Sequence, residues 1–172
     1  MNNPPSYTSE QLATALHSLG VEFVMGNRPG KGSLYKKPTS LITALAKSPE
    51  ARLRLSLIPL FLEHPEMARY VPKVVNKLEA AAKLTIKCYY TAAVWLQKQN
   101  YNQLDALIKL KSPLPDYFSI DLGLEITTDF EENLRSLAQR HQLLSNSHVN
   151  WLGTYQHALK VWLKGLELQR GV

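Results

Sequence analysis

Apolar residues recur along the chain at steps of three and four, the spacing of a helix buried along one side. The clearest series is Val75, Leu78, Ala82, Thr85, Tyr89, Ala92 and Leu96. It predicts one long helix, opened by Pro72 at its first position and continuing to about residue 99. Leu152, Tyr155, Leu159, Trp162 and Leu166 repeat the same steps and predict a last helix over residues 147–169. Phe130, Leu134, Leu137 and Ala138 mark the inner face of another, from a Thr128/Glu131 capping box to about His141.

Capping residues place the shorter elements. Thr8 and Gln11 have capping-box spacing and Gly20 suits the C′ position, so a first helix is expected over residues 9–19. Residues 21–25 favour a short strand, and the glycines and prolines that follow make residues 26–38 an irregular loop. Thr39 or Ser40 caps a helix to about Lys47, and Ser48, Pro49 and Glu50 restart one as N-cap, N1 proline and first-turn acid. In residues 52–62 the alternation of Leu53, Leu55 and Leu57 competes with that helical start. The unbroken apolar run over 57–62 favours a buried helix bent near Pro59, with a strand over residues 52–57 as the alternative. His64, Pro65 and Glu66 begin a short helix, and residues 102–110 form one more before an acidic connector carrying Asp116, Asp121, Glu125 and Asp129.

The pattern therefore predicts an all-α fold. It is a single-domain bundle of six to eight helices over residues 1–172, with residues 1–7 flexible and one short strand near the start. Its core should hold Leu53, Leu57, Leu60, Leu78, Ala82, Tyr89, Leu137, Leu152, Tyr155, Leu159 and Trp162. A 45% hydrophobic content is enough for one well-buried core in 172 residues and excludes a disordered chain. With no signal-like start, no apolar run of spanning length and a single cysteine, Cys88, a cytoplasmic protein without disulfides is expected.

The net charge of +6 is uneven. Residues 1–100 hold thirteen Lys/Arg against six Asp/Glu, and the remainder seven against eight, or +7 and −1. Lys73, Lys77, Lys83 and Lys87 fall opposite the apolar stripe of the long helix. That face is the candidate nucleic-acid-binding surface, although lysines opposite an apolar stripe are also what keeps any amphipathic helix solvated. Arg28, Lys31, Lys36 and Lys37, with Tyr35, could extend it.

Gly26, Gly30, Lys31 and Ser33 resemble a phosphate-binding loop in composition but not in spacing. Gly30 is too close to Gly26, and Gly32 separates Lys31 from Ser33. His17, His64, His141, His148 and His157 form no metal-ligand pattern, and no Gly-x-Ser-x-Gly elbow occurs. No cofactor and no metal are implied.

Arg135 and His141, with Ser136 after the arginine, match the Arg-x(4 to 6)-His motif of the HEPN (higher eukaryote and prokaryote nucleotide-binding) helical proteins, which this chain resembles in that motif and in helical size. The resemblance implies a metal-independent RNase in which Arg135 stabilises the phosphoryl centre and His141 transfers a proton. Residues 48–66 are similar to stretches of helical proteins associated with nucleotidyltransferases, and this likeness implies a nucleotidyltransferase as protein partner. The nucleotidyltransferase signature itself, Gly-Ser followed by paired aspartates, is absent. The favoured expectation is a non-enzymatic interaction protein, the partner of a nucleotidyltransferase in a toxin-antitoxin-like pair. The HEPN-like RNase and the lysine-face nucleic-acid binder are the alternatives, with RNA and a second copy of the chain as further partners to consider and no membrane among them.

Overall fold

Thr8 opens the first helix as its spacing predicts: its hydroxyl accepts from the Gln11 N–H while the Gln11 side chain accepts from the Thr8 N–H. The computed structural model describes residues 6–23 and 32–171, and every regular element among them is helical. In order these are α1 (Ser9–Ser18), a 3-10 turn (Leu34–Lys36), α2 (Pro38–Lys47), α3 (Ala51–Leu55), α4 (Leu57–Glu63), a 3-10 segment (Pro65–Tyr70), α5 (Val71–Val75), α6 (Ala80–Gln99), α7 (Tyr101–Ile108), α8 (Phe130–Ser145) and α9 (Trp151–Gln169).

The expected strand does not form where it can be followed. Val21 instead completes a helix cap: Gly20, at φ +78°, donates to the His17 carbonyl and Val21 donates to that of Leu16, which buries the Val21 side chain beside the helix end. Residues 24 and 25 and the glycine-rich stretch 26–31 lie outside the described residues. Pro38, not a hydroxyl cap at Thr39 or Ser40, starts α2.

The helical reading of residues 52–62 holds, but with a break at Ser56 rather than a bend. Pro59 has no N–H to give the Leu55 carbonyl, and its ring crowds that carbonyl, so the ladder parts one turn earlier. At the break the Ser56 hydroxyl donates to the Leu53 carbonyl at 2.5 Å.

The long helix expected from Pro72 is two. Val71 starts α5, with Pro72 as its second residue, but Asn76 closes it, and α6 begins afresh after Glu79, whose carboxylate accepts from the Ala81 and Ala82 N–H groups at 3.0 Å. The caps of the last two helices also differ from expectation. Asp129 caps α8, which runs on to Ser145, and Asn150 caps α9.

Helix α6 is the centre of the bundle. It packs mainly on α8 and α4, and α9 closes over both of those. The ten residues from Cys88 to Gln97 are all buried, so this half of α6 is enclosed on every side and not along a stripe. Of the expected core, all but Leu152 is buried. Leu152, in the first turn of α9, is half-buried against the core, as is Trp151 beside it. No helix among the described residues is long and apolar enough to cross a membrane.

Candidate functional site

Helix α8 carries both residues of the Arg-x(5)-His pair, and its regular course decides how they stand. Six residues separate them by about 9 Å along the axis and about 120° around it. His141 turns inward and is 3% exposed, whereas Arg135 is exposed and paired with Glu131 one turn earlier at 3.3 Å. The two do not meet in a cleft.

His141 is held by aromatic neighbours. Its ring stacks on Trp151 with centroids 3.6 Å apart and planes 16° from parallel, Tyr89 meets it edge-on at 5.8 Å, and Nδ1 is hydrogen-bonded to the Tyr155 hydroxyl at 2.6 Å. Burial without a charged partner pushes its pKa down to about 4 and pushes that of Tyr155 up, so at neutral pH both groups are uncharged. A neutral, buried imidazole that already has its partner is a core polar pair with no open path to a substrate. Cys88 belongs to the same interior, its thiol pushed up to about 12 by burial, which leaves it unreactive.

The four lysines do not share one helix. Lys73 lies on α5 and Lys77 in the turn after it, both exposed, whereas Lys83 and Lys87 are half-buried on α6. Lys87 forms an ion pair with Asp121 and sits over the Phe118 ring. The face expected to track a phosphate backbone is thus split by the break at residues 76–79, and one of its members is already neutralised.

Two features were not apparent from the sequence. The first is a cleft of about 360 Å³ where the C-terminal ends of α4, α7 and α9 converge, lined by Glu63, His64, Glu66, Lys109, Lys111 and Arg170 among others. The Glu63 carboxylate accepts from the Trp162 indole N–H at 2.8 Å, across 99 positions of sequence. Burial raises its pKa against the opposing pull of that hydrogen bond. His64 is tied to Glu66 at 2.9 Å and to the Leu19 carbonyl at 2.7 Å. Basic residues at three helix C-termini balance the partial negative charge of the carbonyls there, so the cleft as a whole is close to neutral.

The second feature is the connector over residues 109–129, which has no regular structure yet is anchored along its length. Gln97 accepts from the Leu114 N–H at 2.7 Å, the Tyr90 hydroxyl donates to the Pro115 carbonyl at 2.6 Å, and Arg140 donates to that of Leu122 at 2.8 Å. Leu114, Phe118 and Leu122 are buried beneath it, and Tyr117, Ile120 and Ile126 face solvent.

Comparison with protein-family models, with curated proteins and with solved structures finds no match.

Proposed function

We propose that this chain is a non-enzymatic helical interaction protein. What supports the reading is that large apolar side chains stand in solvent among the described residues, six of the eight close together along the chain: Leu143, Leu144 and Val149 where α8 turns into α9, and Tyr117, Ile120 and Ile126 on the connector, with Tyr101 and Leu168 apart from them. Grouped apolar exposure of this kind marks surfaces that associate with other proteins.

The residues that would make the chain an RNase argue the other way. Cleavage needs the arginine and the histidine on one phosphoryl group, and here one is buried and neutral while the other is ion-paired in solvent. A second copy of the chain could not complete the site without first unstacking His141 from Trp151.

For the partner, the resemblance of residues 48–66 suggests a nucleotidyltransferase. Residues 56–62 of that stretch are buried, so its likeness lies in packing and leaves contact with a partner to other surfaces. The test is affinity purification of the tagged chain from its native host, with stoichiometry measured by quantitative mass spectrometry. The reading expects a stoichiometric protein partner, and a nucleotidyltransferase if the resemblance extends that far. Recovery of the chain alone at cellular concentrations would overturn it.

A further inference from the structure

Residues 112–134 contain six Asp/Glu and no Lys or Arg, in a chain whose net charge is +6. Four of the acids are engaged locally, Asp116 by the Phe118 and Ser119 N–H groups. Asp121 pairs with Lys87, Glu131 pairs with Arg135, and Asp129 caps α8. Glu125 and Glu132 are exposed and have no ion-pair partner among the described residues.

Among these acids stand the most exposed apolar groups of the connector. Ile120 is 87% exposed, Ile126 53% and Tyr117 37%. An isoleucine almost wholly in water is ordinary on a floppy loop, but this one is carried by a fixed scaffold. Phe118 and Leu122 on either side of it are buried, the Tyr117 ring stacks on Tyr90 at 5.3 Å, and Asp116 accepts from the Phe118 and Ser119 N–H groups. Connections this long without secondary structure are uncommon, and ordered ones are usually functional, binding loops among them. The backbone holds apolar side chains outward on a stretch, residues 112–134, whose own charges are all acidic, although Lys87 and Arg140 of the neighbouring helices reach it at Asp121 and Leu122. This arrangement gains most from a partner that brings apolar groups between cations, because the acids then select and steer while the isoleucines lose water.

We infer that the connector over residues 109–129 docks a basic, amphipathic segment of a protein partner, with Tyr117, Ile120 and Ile126 as its apolar contacts and Glu125 among its acidic ones. The inference rests on the interaction-protein reading and specifies the surface and the partner's chemistry. Nucleic acid is the wrong occupant, since its phosphates would face carboxylates.

Two helical peptides labelled with fluorescein serve as probes, one of leucine and lysine and the other of leucine and glutamate in the same pattern. Fluorescence anisotropy should show the lysine peptide binding the wild type at least about tenfold more tightly than the glutamate peptide, a difference of about 1.4 kcal/mol. The lysine peptide should bind Ile120→Ser/Ile126→Ser at least about tenfold more weakly, and the preference should be lost in Glu125→Lys, all of them exposed positions. It should survive Leu143→Ser/Leu144→Ser at the other apolar group. Equal affinity for the two peptides, an affinity unchanged in Ile120→Ser/Ile126→Ser, or a preference that persists in Glu125→Lys would overturn the inference. Purification of the same variants from the native host separates the two levels. A partner that stays stoichiometric on Ile120→Ser/Ile126→Ser refutes the connector as the docking surface and leaves the interaction reading standing, whereas no partner on any form refutes both. Self-association of the purified chain that is lost in the connector variants would make the occupant a second copy and refute the separate partner.

Discussion

His141 illustrates how one residue type serves two opposite purposes depending on where its helix turns it. In solvent it would titrate near neutrality and be a candidate proton donor. Stacked on Trp151 and bound to Tyr155, it is a packing residue whose pKa is lowered to about 4. The sign of the consequence follows from proton binding. Between pH 6.5 and about 4 the unfolded chain carries the proton and the folded chain does not, so stability is lost as pH falls through that window and the loss levels off below it. The full effect is about 3 kcal/mol at 1.36 kcal/mol per pKa unit. Urea unfolding followed across that range should show the decline in the wild type and a much shallower one in His141→Gln. Equal slopes would show that other groups dominate the acid response. Lys109 is the other telling residue, since it closes α7 in the left-handed conformation at φ +53° without being a glycine. Lys109→Gly should raise stability by about 1 kcal/mol, read as an increase in Tm, and a decrease would mean that the lysine side chain contributes more than its backbone costs.

Helix starts were legible where neighbouring residues alone decide them and were misplaced where a second capping group or a proline stood close by, as Pro38 does at α2 and Asn150 at α9. The Thr8/Gln11 box and the glycine after α1 need only their own neighbours, and both stand as read. Asp129 displaced Thr128 as the cap of α8, because its carboxylate reaches the Glu131 and Glu132 N–H groups at 3.1 and 3.2 Å. Glu79 cut the expected long helix in two by the same means. Glu79→Ala should therefore destabilise the fold by about 1 kcal/mol, the usual worth of a helix cap, and an unchanged Tm would deny it that role. The enclosure of α6 had a signal in the uncharged stretch of residues 88–97, although the stripe of lysines before it suggested a surface helix. The Glu63–Trp162 contact and the anchoring of the connector had none, since both join residues far apart in the chain through packing that periodicity does not encode.

At the scale of the molecule, the all-α bundle follows from repeated apolar faces, but the candidate site depended on which side of α8 was inward, and the motif Arg-x(5)-His is silent on that. The same applies to charge. Four lysines in sequence looked like one face and are dispersed by the break at residues 76–79, with Lys87 neutralised by Asp121. Replacing Lys73, Lys77, Lys83 and Lys87 with glutamine should leave the salt dependence of any binding to single-stranded RNA nearly unchanged. Four lysines acting together on phosphates would contribute a slope of about 0.7 each in log affinity against log salt, and a loss of that size would restore them as a nucleic-acid surface. The claim on which the account depends is that Arg135 and His141 do not act together. It is tested most directly by incubating purified wild type, Arg135→Ala and His141→Gln, each shown to be folded by circular dichroism, with single-stranded RNA under matched conditions without metal. The account predicts no cleavage above the buffer control in any of the three. Cleavage by the wild type that disappears in both folded variants would contradict it and make the chain an RNase.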